Sequence, residues 1–373
     1  MKIAVVLGTR PEIVKFSPII RELKRKHSDY FILHTGQHYS YTMDKVFFEQ
    51  LELPNPKYNL GVGSGFHGEQ TGKMLIGIEK ILQDEVPDIV LVEGDTNTVL
   101  AGALAAAKLG IKVGHVEAGL RSYDRTMPEE TNRVLTDHCS DFLFAPTQKS
   151  TENLLSEGIA KERVFTVGNT VVDAVGQNLL IANSKTHVLK DLNLADGEFI
   201  LATAHRQENV DDKERFSGLI LGLQLVQRKF GVPLVYPIHP RAKKQLDLFG
   251  IDTAGLMLIE PLDYLAFLQL ESKAKLVLSD SGGVQEEACI LRVPCVTIRD
   301  NTERPETLEA GSNTLAGTKP ENILKAANKM CFVQRNWVNP FGDGKTGQII
   351  VRIISEKCKN ISAKVTSKTP SHD

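Results

Sequence analysis

The chain has 373 residues, 42% of them hydrophobic and 24% charged, with a net charge of −2. That length is more than one hydrophobic core comfortably serves, so two domains are expected. A near-neutral balance supplies no field for nucleic acid or an anionic membrane, and no stretch reaches the roughly 20 apolar residues of a membrane helix. The apolar run at the N-terminus is too short for a secretion signal, which makes the cytoplasm the expected location. The cysteines Cys139, Cys289, Cys295, Cys331 and Cys358 are odd in number and lack metal-finger spacing. Neither a disulfide framework nor a structural zinc is expected from them.

Short apolar runs at 2–7, 30–35, 88–93, 112–116, 142–145 and 164–167 lack in/out alternation, as strands buried on both faces do. Amphipathic stretches such as 13–26 and 70–83, the latter with Met74, Ile78, Ile81 and Leu82 on one face, predict helices between them. Strand and helix in repetition predict βαβ units on a parallel sheet. After a helical 168–183 and a polar 184–197 the pattern restarts, with runs at 199–203, 233–237, 256–259, 275–279 and 294–298. Helical segments at 211–230, 264–271, 284–291 and 321–330 separate these runs, and a last amphipathic helix covers 345–358 before a polar tail at 360–373. The fold class is therefore α/β, with two doubly wound Rossmann-like domains, 1–170 and 171–344, expected to face across a cleft in the glycosyltransferase-B-like manner.

Ligands of open α/β sheets bind beyond the carboxyl ends of the strands, so the residues after each run carry the interest. The first run leads into Gly8-Thr9-Arg10-Pro11-Glu12, with Lys15 one turn along. This is not the GxGxxG of a dinucleotide site, so no nicotinamide cofactor is expected. Arg10 and Lys15 are either cleft cations or a solvated basic face. The third run ends at Gly94-Asp95-Thr96, where Asp95 is either an N-cap or a functional acid. The fourth ends in Gly114-His115-Val116-Glu117-Ala118-Gly119-Leu120-Arg121, and the bland reading of Glu117 makes Arg121 its partner. His115 and Glu117 are spaced H-x-E, but nothing completes a ligand set, so no metal is expected. Met127-Pro128-Glu129-Glu130 is a good helix start, since acids complement the positive dipole end. Asp95, Glu117 and Glu129 converging at strand-end positions suit proton transfer on a many-hydroxyl substrate.

In the second half, Thr203-Ala204-His205-Arg206 sets His205 and Arg206 at a strand end as candidate phosphate contacts. Leu278-Ser279-Asp280-Ser281-Gly282-Gly283 runs from a strand into a helix. Small residues there let a diphosphate approach the free N–H groups of the first turn. Glu287 lies one turn further on, and Arg304 follows the next strand.

In order, GTRPE, GDT, GHVEAGLR, PEETNR, AHRxEN, SDSGGxQEEA and TERPE resemble the non-hydrolysing UDP-N-acetylglucosamine 2-epimerase family, over nearly the whole chain. The resemblance implies reversible conversion of UDP-N-acetylglucosamine to UDP-N-acetylmannosamine through UDP elimination to a 2-acetamidoglucal, without metal or redox cofactor. It implies Asp95, Glu117, Glu129 and His205 as catalytic groups. It further implies Arg10, Lys15, Leu262, Phe267, Ser281, Gly282, Gly283, Glu287 and Arg304 as UDP contacts, and a final helix crossing back to the first domain. Gln37, His38, Gln70, Arg206 and His239 match or nearly match an activator site of bacterial relatives, and a homodimer is expected. Two departures stand out: Leu262, where some relatives have Gln, and Glu93, where relatives often have His or Gln. A UDP-sugar glycosyltransferase of the same fold and a hydrolysing epimerase are the competing readings.

Overall fold

The structure, a computed structural model, describes residues 1–37 and 41–366, with side chains for all of these except 41–44 and 359–366. The chain forms two compact units, Met1–Ala174 with the segment from Phe341 onward, and Val175–Pro340. The division falls inside the helix Thr170–Lys185.

The first unit is built on seven parallel strands: β1 (Lys2–Leu7), β2 (Asp29–His34), β3 (Tyr58–Asn59), β4 (Ile89–Glu93), β5 (Lys112–Val116), β6 (Phe142–Ala145) and β7 (Val164–Thr166), in the order β3-β2-β1-β4-β5-β6-β7. The second carries β8 (Ile200–Thr203), β9 (Leu234–Pro237), β10 (Met257–Ile259), β11 (Leu276–Ser279), β12 (Cys295–Thr297) and β13 (Asn313–Leu315), in the order β10-β9-β8-β11-β12-β13. In each sheet the order reverses once, between β1 and β4 and between β8 and β11. A crevice opens at such a switch point, beyond the strands' carboxyl ends. Helices on both faces exclude water from the central strands, and Ile3 through Leu7 are fully buried. Burial on both faces is why these runs read as continuously apolar. The two strands the sequence pattern did not predict, β3 and β13, are two and three residues long, sit at sheet edges and contain Asn59 and Asn313.

The helix Arg10–Arg25 shows how the sequence builds the first switch point. Thr9 takes the N-cap position, and Glu12 reaches back to the backbone N–H groups of Gly8 (2.5 Å) and Thr9 (3.2 Å). Those are donors a helix start otherwise leaves unsatisfied. Glu12 also accepts from the Thr96 hydroxyl at 2.5 Å, which ties the turn after β1 to the turn after β4. Pro18 inside this helix cannot donate to the carbonyl of Val14, and the Ser17 hydroxyl takes that carbonyl at 2.7 Å instead.

The final helix, Thr346–Thr366, extends beyond the expected 345–358 and begins against the first unit. Asp173 accepts from the N–H groups of Thr346 (3.2 Å) and Gly347 (3.0 Å). A Cβ on Gly347 would stand 3.1 Å from Pro18, so its lack of a side chain lets this helix lie close along Arg10–Arg25. Among the described residues, no helix is long and apolar enough to cross a membrane.

Gly8 carries the tightest constraint at the switch point. A Cβ there would run into the hydroxyls of Thr35 and Thr98, themselves joined at 2.7 Å. Gly8→Ala is expected to destabilise by about 1–3 kcal/mol, the usual range for overpacking a close-packed site. Calorimetry should show this as a lowered Tm, and an unchanged Tm would contradict the packing argument.

Candidate functional site

In the first unit the candidates gather at the carboxyl ends of β1, β4 and β5, around the switch point. Asp95 follows β4 past Gly94, whose φ of 86° favours glycine. Asp95 is not the cap of the next helix, because Thr96 holds that position. Instead its carboxylate is gripped by Arg133, with Nε at 2.9 Å and a terminal nitrogen at 2.7 Å, while Asn132 donates to its backbone carbonyl at 2.9 Å.

Both holding residues lie on the helix Pro128–Cys139, which also presents Glu129 from its first turn. Glu130, next to it, is engaged differently. It accepts from the N–H groups of Ser122 (2.9 Å) and Tyr123 (3.0 Å) and pairs with Arg133 at 2.6 Å. Burial works to raise its pKa, but these bonds outweigh burial and hold it below the usual carboxylate value. Glu130 staples a loop, and Glu129 is left half-buried beside it.

Glu117 follows β5 in a left-handed conformation, φ 69°, sparsely populated for a residue with a side chain. Its neighbours enforce that turn. Its own N–H and that of Ala118 both donate to the Phe144 carbonyl, at 3.1 and 3.2 Å, and the Gly119 N–H donates to Asp137 at 3.1 Å. A Cβ on Gly119 would collide with the carbonyl oxygen of Ser150. The Glu117 carboxylate is almost fully buried and receives Lys15 Nζ at 2.5 Å and Asn169 Nδ2 at 3.0 Å.

Arg121 is therefore not the partner of Glu117. It pairs with Asp137 at 2.7 Å and Glu157 at 2.6 Å, and Asp137 also binds His115 at 2.6 Å. Burial of Asp137 is outweighed by these partners, which keep its pKa low. Nor do Lys15 and its neighbours form a solvated basic face, since Lys15 also meets Glu93 at 3.2 Å and is largely buried. Arg10 stands with its guanidinium 5.8 Å from the Phe47 ring centre.

In the second unit the candidates again follow the switch-point strands. Asp280, fully buried after β11, accepts from the N–H groups of His205 (3.0 Å) and Arg206 (2.9 Å) after β8. This fixes the His205 turn, and Asp280 also lies 3.4 Å from His205 Nδ1. Burial of the ring holds the His205 pKa below the ordinary imidazole value, helped by Arg206 and His239, while Asp280 opposes them.

Ser281 caps the helix Gly282–Ile290. A Cβ at Gly282 or Gly283 would meet nothing nearer than 3.6 Å and 3.9 Å, respectively, so internal packing does not demand these glycines. What they leave open is the approach to the helix N-terminus, where backbone N–H groups and the dipole favour an anion. Arg304 pairs with the buried Glu286 at 2.7 Å. Leu262 and Phe267 are half-buried against the core formed by Val277, Val284 and Ala288. Glu287 belongs to a cluster with Tyr264 and the fully buried Glu271. Burial pushes Glu287 up to about 7 and Glu271 well above the carboxylate range.

Of the expected activator residues, Gln37 and Gln70 are buried and occupied internally. Gln70 Nε2 donates to the carbonyls of Gln37 (3.1 Å) and Gly63 (2.8 Å), and Gln37 accepts from Thr98 at 2.9 Å. His239 caps the helix Pro240–Phe249. Arg206 lies 3.6 Å from Glu303, and His38 falls outside the described residues. Among the described residues no His, Cys, Asp and Glu group is arranged to hold a metal.

Reasoning on sequence missed Asn169, Arg133 and Asp280. The last two stand inside quoted motifs, PEETNR and SDSGG, where the eye went to the neighbouring acids and glycines. Asn169 lies beyond β7, with no local pattern to mark it.

Comparison with known sequences decides the family. The UDP-N-acetylglucosamine 2-epimerase family model matches residues 21–355. The chain belongs to this family. A UDP-N-acetylglucosamine 2-epimerase of Methanocaldococcus jannaschii is 57% identical over 362 residues, 95% of this chain and 99% of that protein. A crystal structure of the Methanocaldococcus jannaschii enzyme in complex with UDP-GlcNAc and UDP superposes with a TM-score of 0.83 at 57% identity, covering 95% of this chain and 100% of the other. A UDP-2,3-diacetamido-2,3-dideoxy-D-glucuronate 2-epimerase of Pseudomonas aeruginosa is 42% identical over 330 residues, covering 88% of this chain and 91% of that protein. The family fold is the glycosyltransferase-B-like pair of Rossmann-like domains that the strand pattern predicts.

The acid cluster of the second unit makes a test of its own. Glu287 holds its proton up to about 7 in the folded protein, whereas an unfolded chain releases it near 4.5. The folded state thus binds more protons between these values, and stability is lost as pH rises through the interval. Glu287→Gln should flatten the fall of Tm over that window. Parallel Tm curves for the variant and the natural chain would refute the assignment.

Proposed function

We propose that this chain catalyses the reversible C2 epimerisation of UDP-N-acetylglucosamine to UDP-N-acetylmannosamine, as a non-hydrolysing enzyme that retains UDP. Family membership supports the reaction, and the observation that carries the mechanism is the set of acids around the first switch point. The Glu117 carboxylate lies beside Gly94, where a Cβ would be 3.9 Å from its Oε2. The next residue is Asp95, held by the helix that presents Glu129.

The C2 hydrogen of an acetamido sugar has no adjacent carbonyl to acidify it, so departure of the leaving group must assist its removal. One carboxylate takes the C2 proton, and its electron pair becomes the C1–C2 double bond. The C1–O bond breaks toward the β-phosphate, giving 2-acetamidoglucal and UDP. Returning a proton to the opposite face of C2 while UDP oxygen rejoins C1 completes inversion. Two faces need more than one acid–base group. The diphosphate's developing charge is met by the N–H groups of the Gly282–Ile290 helix, with His205 and Arg304 as further contacts and Phe267 and Glu287 for the nucleoside.

The decisive assay incubates the protein with each nucleotide sugar in heavy water and follows C2 by NMR. UDP-N-acetylmannosamine carrying solvent deuterium at C2 is expected from UDP-N-acetylglucosamine. Product with its original hydrogen retained would rule out the mechanism, and free N-acetylmannosamine would mark a hydrolysing enzyme. Asp95→Asn and Glu117→Gln should lose roughly 10²–10⁴-fold in kcat, the scale of acid–base catalysis, while still binding UDP.

A further inference from the structure

We propose that Glu93 is a positioning residue for Glu117, keeping a proton that it donates in a hydrogen bond to the Glu117 carboxylate while both face Lys15. The inference rests on the epimerase reading of Glu117. It starts from the strand register: Glu93 ends β4 opposite Val116, the residue before Glu117. Glu93 is 1% exposed, and Lys15 Nζ lies 3.2 Å from its Oε1 and 2.5 Å from Glu117 Oε2. Both carboxyl groups therefore converge on one ammonium.

Charge counting then decides the protonation. The groups facing Glu93 are Lys15 and Glu12 from the helix Arg10–Arg25 and Glu117 from the turn after β5. One ammonium cannot neutralise two buried carboxylates, and Glu12, itself pushed up to about 7 by burial, offers no compensation. An uncompensated buried charge is costly, whereas retaining a proton on one acid removes it. Glu117 has the closer ammonium and the Asn169 donor at 3.0 Å, so it is the better-stabilised anion, and the proton falls to Glu93. Burial, with Glu117 opposing any second charge, accordingly raises the Glu93 pKa well above the carboxylate range against the pull of Lys15. Glu117 is thereby kept ionised and oriented, ready to accept a proton. Ionising Glu93 adds a second negative charge, draws Lys15 away from Glu117 and removes the donor.

Two variants and two readouts test this. The natural chain's kcat should fall on the alkaline side as Glu93 loses its proton. Glu93→Gln, which keeps a donor but cannot ionise, should move that limb upward by about one pH unit or more, with KM changed less than about twofold. Glu93→Leu, which loses the donor, should lower kcat about tenfold at neutral pH, the worth of one lost hydrogen bond. Independently of activity, the infrared difference spectrum at neutral pH, natural chain minus Glu93→Gln, should contain a protonated-carboxyl band over and above the bands that Glu271 and Glu287 give in both. The same comparison with Glu93→Leu, whose apolar side chain suits the buried position, guards against misfolding of the first variant. An alkaline limb identical in the natural chain and Glu93→Gln, or a difference spectrum with no protonated-carboxyl band, would overturn the proposal. Failure of the epimerase reading would look different: no turnover of either nucleotide sugar by the natural chain, with the infrared result unaffected.

Discussion

Lys15 is placed where two strand ends each direct a carboxylate into a space nearly closed to water. The ammonium at 2.5 Å from Glu117 and 3.2 Å from Glu93 determines how much negative charge that space can hold. Removing one partner of such a group leaves a buried charge uncompensated, typically at a cost of about 3–5 kcal/mol. The surrounding backbone is arranged to keep the partners fixed. Helix Arg10–Arg25 is clamped at its start by Glu12, which also holds Thr96 after β4. The same helix is backed by the final helix where Gly347 meets Pro18. The position of the ammonium is thus set by a capping box at one end and a helix contact at the other.

The backbone around Glu117 shows the same economy. A left-handed φ at a glutamate is unfavourable, and three bonds from its surroundings hold it: two N–H groups on the Phe144 carbonyl and the Gly119 N–H on Asp137. Asp137 can do this because Arg121 neutralises it and His115 binds it within the same buried layer. The motif GHVEAGLR therefore reads as one device. His115 and Arg121 stabilise Asp137, Asp137 and the small Gly119 set the turn, and the turn aims Glu117.

Much of this was legible in the sequence. Parallel strands buried on both faces leave continuous apolar runs, so 2–7, 112–116 and 142–145 could be read to the residue. Tyr58–Asn59 and Asn313–Leu315 are two and three residues long, each with a polar Asn, and so present no continuous apolar run, which is why they went unread. The site was legible as positions, because strand ends at switch points are fixed by topology. Its pairings were not. Lys15 and Glu117 are 102 residues apart, and Asn169 is 52 residues beyond Glu117. Nothing in the local pattern distinguishes them from the nearer Arg121, so proximity in sequence could offer only Arg121 as the bland alternative.

The two sheets carry opposite electrostatic roles, and that separation follows from the chemistry. Unit charges 4 Å apart interact by about 4 kcal/mol at an effective dielectric constant near 20. Carboxylates grouped for proton transfer would repel a leaving diphosphate by amounts comparable to a large part of its binding energy. In the first unit Glu117 is matched to Lys15 and Asp95 to Arg133. In the second, the surface proposed to accept the diphosphate is made of backbone N–H groups at Gly282 and Gly283, whose lack of side chains serves no packing need. Its buried acids are dealt with separately. Asp280 is consumed by the His205 turn, Glu286 by Arg304, and Glu271 and Glu287 hold protons. Backbone dipoles bind a diphosphate without the desolvation penalty of burying extra lysines, and they are unaffected by any proton that moves among the carboxylates.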